Sequence, residues 1–76
     1  METNYELVKE IIENYEYEDM MEDFLNEFEE GEDICKEEFV EFCSRYIDDM
    51  SETRFIKINW EYIKSGGDES IWERYA

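Results

Sequence analysis

Residues 17–30 read YEDMMEDFLNEFEE, and this stretch combines an apolar helical pattern with a dense run of carboxylates. Its apolar residues recur at the i, i+3, i+4, i+7 spacing of one helical face, and they are Tyr17, Met20, Met21, Phe24, Leu25 and Phe28. Two acidic rows flank that face on a helical wheel: Glu18, Glu22 and Glu29 form one, and Asp19, Asp23, Glu27 and Glu30 form the other. The stretch therefore predicts a helix with a buried seam and two rows of exposed charge.

The residues before this stretch predict a first helix over residues 4–16. Thr3 and Glu6 have the spacing of a capping box, in which each side chain bonds the backbone of the other residue. The apolar stripe of this helix is Val8, Ile11, Ile12 and Tyr15. One bent helix over residues 4–30 is possible, but we expect a short break at residues 16–18, because the apolar phase is hard to maintain across residues 15–17.

The residues after this stretch predict a third helix over residues 34–50. Gly31 suits the left-handed residue that ends a helix, and Asp33 can cap the next one. Its predicted apolar face consists of Phe39, Val40, Cys43, Tyr46, Ile47 and Met50, with Glu37, Glu41 and Asp48 opposite.

The last 24 residues are less clear. Residues 53–59, TRFIKIN, fit either a short strand or a helix, and a loop or short helix is favoured because a lone strand has no partner. Ser51 can cap whatever follows the third helix, Asn59 can cap a helix ending at Gly66, and Asp68 can cap a final one or two turns. The prediction is one all-α domain over residues 1–76, with three main helices and one or two short C-terminal ones.

The net charge of −17 is confined to one part of the chain. Residues 1–52 contain 20 of the 24 acidic residues and three bases, whereas residues 53–76 contain four of each and are neutral. A field of this sign repels nucleic acid and anionic membranes and attracts basic proteins. We therefore expect neither direct nucleic-acid binding nor membrane binding.

Catalytic and metal-binding functions have little support in the sequence. There is no histidine, no Ser or Cys has an identifiable base, and no pair of carboxylates is singled out. An EF-hand loop from Glu27 to Glu38 would place Gly31 one position early, so we expect no metal and no cofactor. Cys35 and Cys43 are predicted to be half-buried and reduced, and with no signal or membrane segment after Met1 the expected location is the cytoplasm.

The acidic surface itself is the remaining candidate for function. Like charges four residues apart destabilise a helix by roughly 0.2–0.5 kcal/mol per pair, so an excess this large needs an explanation beyond solubility. A halophilic coat is one alternative, but it would cover the neutral residues 53–76 as well. On one helix face carboxylates recur every ~5–6 Å, on the scale of the phosphates along a nucleic-acid strand.

In size and charge pattern, the segments ENYEYEDMMEDFLNEFEEGED and KEEFVEF resemble those of small, acidic, helical DNA mimics encoded by phages and plasmids. Members of this group inhibit restriction enzymes, CRISPR effectors or other DNA-binding proteins. The resemblance covers residues 1–52 and implies an inhibitor that occupies the basic groove of such a host-defence protein. The neutral residues 53–76 are outside it, and Trp60, Trp72 and Tyr75 are expected to complete the core, with a second contact or a homodimer surface left open.

The predicted partner-binding residues are the carboxylates of the first two helices with four in support. They are Glu6, Glu10, Glu13, Glu18, Asp19, Glu22, Asp23, Glu27, Glu29, Glu30, Glu37, Glu41, Asp48 and Asp49. The alternative is a regulatory adaptor that docks on a basic protein without imitating DNA. Such an adaptor would depend on apolar anchors, for which the sequence offers Trp60 and Trp72.

Overall fold

The computed structural model describes residues 3–75, apart from the side chains of residues 49–52. Within this part of the chain there are five α-helices and no strand. The helices are α1 (Tyr5–Asn14), α2 (Glu18–Glu27), α3 (Lys36–Cys43), α4 (Asp49–Lys64) and α5 (Ser70–Tyr75). The predicted all-α class is therefore confirmed.

The chain divides into two compact units, Met1–Ile34 (unit 1) and Cys35–Ala76 (unit 2). This division lies 18 residues before the change in charge that separates residues 1–52 from residues 53–76 in the sequence. The grouping of all 76 residues into one domain stays a prediction.

Unit 1 consists of α1 packed against α2. Its buried hydrophobic side chains are Tyr5, Val8, Ile11, Ile12, Met20, Phe24 and Ile34. The rings of Tyr5 and Phe24 stack with centroids 4.9 Å apart, which joins the first turn of α1 to the middle of α2. Three of the four residues in the predicted stripe of the first helix are thus buried, whereas Tyr15 is 45% exposed.

An asparagine, rather than a capping box, fixes the start of α1. Asn4 is the N-cap residue, but its side chain makes no capping hydrogen bond in the described structure. Its Oδ1 instead accepts from the backbone N–H of Ile34, and its Nδ2 donates to the Ile34 carbonyl, both at 2.6 Å. The predicted Thr3–Glu6 box is therefore wrong, because the chain uses Asn4 to hold the two ends of unit 1 together.

The predicted break between the first two helices is confirmed, and it contains a left-handed residue. Glu16 has φ of 56°, a conformation that is uncommon for a residue with a Cβ atom. The second helix ends three residues earlier than the sequence pattern indicates, at Glu27. Gly31 does adopt a positive φ of 89°, but it lies in a separate turn in which the Glu32 N–H donates to the Glu29 carbonyl.

In unit 2 the predicted third helix over residues 34–50 is wrong in its extent. It begins at Lys36 after Cys35, so Asp33 is not its cap, and it ends at Cys43. Beyond Ser44, the backbone N–H groups of Arg45 and Tyr46 bond three residues back instead of four, and the Ser44 hydroxyl donates to the Val40 carbonyl. Such hydroxyl bonds and tightened turns end or bend a helix.

The longest helix, α4, passes straight through the ambiguous segment 53–59. The helix begins at Asp49, so Ser51 lies inside its first turn instead of capping it. Its buried face consists of Phe55, Ile56, Ile58, Asn59, Tyr62 and Ile63, which follows the 3.6-residue period. The strand alternative is excluded for these residues.

Asn59, predicted as a cap, is instead a buried polar residue of unit 2. Its Nδ2 donates to the Phe55 carbonyl at 2.9 Å, and its Oδ1 accepts from Nε1 of Trp72 at 2.9 Å. The Trp72 ring stacks on Tyr62 with centroids 4.1 Å apart. These contacts, with buried Ile71, place α5 against α4, as expected for the C-terminal aromatic residues.

The end of α4 and the start of α5 follow the predicted glycine and aspartate signals. The Gly66 N–H donates to the Ile63 carbonyl and the Gly67 N–H to the Tyr62 carbonyl, which is the Schellman pattern. Both glycines have positive φ, of 80° and 98°. Asp68 Oδ1 then accepts from the backbone N–H and the hydroxyl of Ser70, so its predicted capping role is confirmed.

The two cysteines differ from the half-buried pair that the sequence predicts. Cys35 is exposed just before α3, and Cys43 is fully buried at its last position. Neither cysteine forms a disulfide in the part of the chain that the structure describes.

Candidate acidic interface

The predicted carboxylates of α1 lie on its exposed side. Glu6, Glu10 and Glu13 are all exposed, whereas Val8, Ile11 and Ile12 are almost fully buried. Lys9, which is half-buried, is the only basic residue in the sequence of unit 1. The helix therefore presents three acids and one base outwards.

The five carboxylates of α2 form a continuous exposed half of that helix. They are Glu18, Asp19, Glu22, Asp23 and Glu27, and each is exposed. At ~100° per residue they occupy about half of the helical circumference. Met20 and Phe24, on the other half, are completely buried, which fixes the orientation of the acidic half towards solvent.

The charge density of α2 is comparable to that of a DNA strand. Ten residues at ~1.5 Å rise give a helix of about 15 Å, so five carboxylates correspond to one negative charge per ~3 Å. One strand of B-DNA has one phosphate per ~3.4 Å along the helix axis. By the same measure α1, with three acids and one base, is about half as dense or less.

Glu29 and Glu30 are exposed but do not continue the acidic rows of α2. The helix ends at Glu27 and the backbone of Phe28 is extended, with φ of −116° and ψ of 141°. The two predicted rows are therefore wrong at their C-terminal ends. These two carboxylates belong to the turn around Gly31 instead.

Glu37, Glu41 and Asp48, which the sequence predicts on one face of a helix over residues 34–50, do not share a helix, because α3 ends at Cys43. Glu37 and Glu41 are exposed on α3, and Asp48 is exposed in the connection to α4. The side chain of Asp49 lies outside the described residues. Glu41 also lies 4.0 Å from the guanidinium of Arg45, which lowers its value as a free negative charge.

The position of Glu37 at the start of α3 has an electrostatic consequence. A hydrogen bond from the backbone N–H of Glu37 lowers the pKa of its carboxyl below the ordinary value, with a smaller contribution from Cys35. Helix N-termini favour negative charge in this way. This carboxylate therefore stabilises its own helix as well as adding to the acidic surface.

The structure also places apolar side chains on the surface of unit 1, which the sequence pattern assigned to a buried seam. Leu25 is 50% exposed and Tyr17 is 39% exposed. Together with Ile12 and Met21 they line an open groove of about 730 Å³. The sequence pattern did not show this exposure, because it follows from the short extent of α2, which leaves Tyr17 outside the helix and Leu25 near its end.

Four carboxylates complete the lining of this groove, and they come from α1, from the break and from α2. They are Glu13, Glu16, Glu18 and Glu22. Of these, Glu16 is the one that the predicted site does not include. The acidic interface therefore has an apolar part, which charge patterning alone did not reveal.

The described residues contain no group of three or more Cys, Asp or Glu side chains arranged to hold a metal ion. In the same part of the chain, no helix has both the length and the apolar character needed to cross a membrane. Comparison with protein-family models, with curated proteins and with solved structures gives no match to this chain.

Proposed function

We propose that this protein is a DNA mimic that binds and inhibits a basic nucleic-acid-binding protein of host defence, such as a CRISPR effector or a restriction enzyme. The observation that carries the proposal is the exposed half of α2, with five carboxylates at about the charge density of a DNA strand. The carboxylates of α1 extend this surface within unit 1. The protein acts by occupying a basic groove and catalyses no reaction.

The charge balance of unit 1 supports this proposal. Residues 1–34 contain 14 Asp and Glu residues and one Lys, for a net charge of −13. A surface with this field attracts a basic groove at long range and speeds association. Each carboxylate accepts charge-assisted hydrogen bonds from Lys or Arg of the partner, as a phosphate oxygen does.

The partner is to be identified by capture from a bacterial lysate at low and at high salt, followed by competition with duplex DNA. Capture of a nuclease or another DNA-binding protein that DNA displaces would support the proposal. A captured protein that still binds DNA while bound to this chain would contradict mimicry.

Two triple variants with equal net charge test which carboxylates are responsible. The first changes α2 at Asp19→Asn, Asp23→Asn and Glu27→Gln, and the control changes exposed residues of unit 2 at Glu38→Gln, Glu69→Gln and Glu73→Gln. At about 0.5 kcal/mol for each exposed ion pair, the first variant should bind about tenfold more weakly and depend less on salt. Equal losses in both variants would mean that net charge, and not the α2 surface, drives binding.

The alternative, an adaptor that leaves DNA binding intact, gains support from a different part of the molecule than expected. Trp72 is stacked on Tyr62 and bonded to Asn59, and Trp60 packs against Phe39 with centroids 5.9 Å apart, so both contribute to packing in unit 2. The exposed apolar anchor is Leu25 in unit 1. An adaptor would therefore use the groove beside α2.

A further inference from the structure

The groove of unit 1 has properties that imitation of a phosphate backbone does not require. Its volume is about 730 Å³, and its apolar lining includes Met21 and Leu25 on α2 and Tyr17 just before it. Leu25 is half-exposed and Tyr17 is 39% exposed, so the groove presents two large apolar side chains to solvent. Apolar surface that borders polar residues in this way is typical of protein interaction sites.

The charge around the groove restricts what can occupy it. Carboxylates of Glu13, Glu16, Glu18 and Glu22 line it beside the apolar residues. Lys9 is the one basic residue that the sequence of unit 1 could supply for their neutralisation. An occupant must therefore offer apolar side chains together with positive charge.

We propose that this groove binds a cationic amphipathic helix of a partner protein. The proposal rests on the proposed function for the basic character of that partner. Apolar side chains on one face of the partner helix enter the groove beside Met21 and Leu25, while flanking Lys and Arg residues bond the four carboxylates. From Glu18 to Leu25 the groove follows about two turns of α2, ~10 Å, which matches two or three anchors spaced i, i+3/i+4 and i+7.

Carboxylates and apolar side chains in the same groove give a selectivity for partners that neither group would give alone. Exposed ion pairs discriminate weakly between basic partners, since their energies are small and screened by salt. Apolar anchors that lose their water carry most of the affinity in interfaces of this kind. The groove would therefore select, among many basic surfaces, those that present an apolar row between the charges.

The test uses the full chain and two synthetic peptides of 14 residues, each made only of leucine and lysine and carrying a fluorophore. In one peptide the leucines lie on one helical face, and in the other the same residues are scrambled so that they do not. Fluorescence anisotropy at low and at physiological salt measures both affinities. The amphipathic peptide should bind at least tenfold more tightly, and its advantage should persist at the higher salt.

Two neighbouring substitutions separate the apolar anchor from the charge. Leu25→Asp and Asn26→Asp each add one negative charge to exposed positions of α2, but only Leu25 lines the groove. Leu25→Asp should reduce binding of the amphipathic peptide about tenfold, whereas Asn26→Asp should leave it unchanged or slightly tighter. Circular dichroism checks that both variants keep their helices.

A second matched pair tests the carboxylates. Glu18→Gln with Glu22→Gln removes two charges that line the groove, and Asp19→Asn with Asp23→Asn removes two from the same helix away from it. The first pair should weaken binding of the amphipathic peptide several-fold more than the second. Equal effects would show that the peptide reads only the overall field.

Equal binding of the two peptides, or equal effects of Leu25→Asp and Asn26→Asp, would overturn the groove proposal while leaving DNA mimicry untouched. Conversely, a captured partner that DNA does not displace would overturn mimicry while these peptide results stood. Sedimentation of the protein alone tests the remaining possible occupant of the groove, which is a second copy of the chain. A dimer that Leu25→Asp dissociates and Asn26→Asp does not would assign the groove to a second copy of the chain and overturn the proposal.

Discussion

Units 1 and 2 bury similar shares of apolar residues but differ sharply in surface charge. The described structure buries seven hydrophobic residues in the 34 residues of unit 1 and ten in the 42 residues of unit 2. Unit 1 has 14 acids and one base, whereas unit 2 has ten acids and six bases, for net charges of −13 and −4. The acidic residues of unit 1 therefore lie on its surface and do not reduce the size of its hydrophobic core.

The grooves of the two units differ in the same way. The groove of unit 1 is lined by four carboxylates and no base, whereas a groove beside α3 and α4 in unit 2 is lined by three lysines and one carboxylate. The lysines are Lys36, Lys57 and Lys64, and Trp60 lies among them. A surface that is acidic only to keep the protein soluble would not need this separation, so the comparison favours a specific use of unit 1.

The largest expected effects come from the two cores. Phe24→Ala in unit 1 and Phe39→Ala in unit 2 each remove a fully buried ring that contacts another aromatic ring. Each should lower the free energy of unfolding by about 3–5 kcal/mol. Urea titration is followed by circular dichroism at 222 nm, which reports the helices of both units, and by tryptophan emission. The emission reports unit 2 alone, because both tryptophans lie there.

The pattern of these two results also tests the predicted single domain. If all 76 residues unfold together, Phe24→Ala should shift the tryptophan transition as much as the transition at 222 nm. A tryptophan transition that Phe24→Ala leaves in place would mean that the two units unfold independently, and the single-domain prediction would be wrong.

Two asparagines can be compared next, because the side chain of each forms hydrogen bonds between segments of its own unit that are far apart in sequence. Asn59→Ala removes the acceptor of the Trp72 Nε1–H and the side-chain bond to the Phe55 carbonyl at a buried position, so a loss of about 2–3 kcal/mol is expected. Asn4→Ala removes two bonds to Ile34 where water has partial access, so about 1–2 kcal/mol is expected.

Conservative variants distinguish the hydrogen bonds from simple loss of volume. Asn4→Asp retains an acceptor for the Ile34 N–H but lacks the donor to its carbonyl, and Asn4→Leu lacks both. Stability measured by urea titration should be highest with asparagine at position 4, lower with aspartate and lowest with leucine. If leucine equals asparagine at this position, the paired bonds to Ile34 contribute nothing measurable.

These asparagines mark a limit of prediction from the sequence. The helical class, the break at Glu16, the Schellman turn at Gly66 and the Asp68 cap could be predicted, because each depends on residues near one another in the chain. Asn4 bonds Ile34, which is 30 residues away, and Asn59 accepts from Trp72, which is 13 residues away, so the neighbouring sequence does not distinguish these side chains from caps.

The candidate site was predictable in its charge but not in its shape. The acidic half of α2 follows directly from helical spacing once Met20 and Phe24 are assigned to the core. The groove depends on where α2 begins, because Tyr17 precedes the helix and Leu25 lies at the edge of its apolar face. Helix ends are the least certain part of a pattern, and both the groove and the separation of α3 from α4 depend on them.

Replacing one carboxylate by a lysine should change stability in opposite directions in the two units. Asp23→Lys replaces like-charge pairs with Asp19 and Glu27 by attractive ones, and it should stabilise unit 1 by about 1–2 kcal/mol at low salt. Glu37→Lys should destabilise unit 2, because the Glu37 carboxylate bonds a backbone N–H at the start of α3. Urea titrations at low and high salt measure both, and stabilisation by both reversals would contradict the distinction.

Replacing Glu16, the left-handed residue of unit 1, should give a smaller gain in stability. Glu16→Gly removes the cost of a Cβ atom at φ of 56°, partly offset by the greater freedom of glycine in the unfolded chain, so a gain of about 0.5–1 kcal/mol is expected. Glu16→Gln is the control, since it removes the same charge and keeps the Cβ atom. Thermal unfolding should rank glycine above glutamine; equal midpoints would mean that charge alone explains any gain.

The smallest predicted effect concerns acid and the cap of α5 in unit 2. The side-chain hydroxyl of Ser70, followed by its backbone N–H, lowers the pKa of Asp68 below its ordinary value. Because the folded-state pKa is the lower one, the stabilisation is complete above the unfolded-state pKa and is lost as the pH falls through the folded-state value. Neither α1 nor α2 has a side-chain cap of this kind in the described structure, so this acid sensitivity belongs to unit 2.

Emission of Trp72 reports the loss of this cap, because the indole stacks on Tyr62 and moves with α5. In the wild-type chain its emission should change at a lower pH than the value of about 4 at which a free aspartate takes up its proton, because the pKa of Asp68 is lowered. Asp68→Asn has no charge to lose, so it should remove that change, while Glu69→Gln, one residue further along, should preserve it. An acid transition that persists in Asp68→Asn would assign the sensitivity to another carboxylate and would remove this difference between the two units.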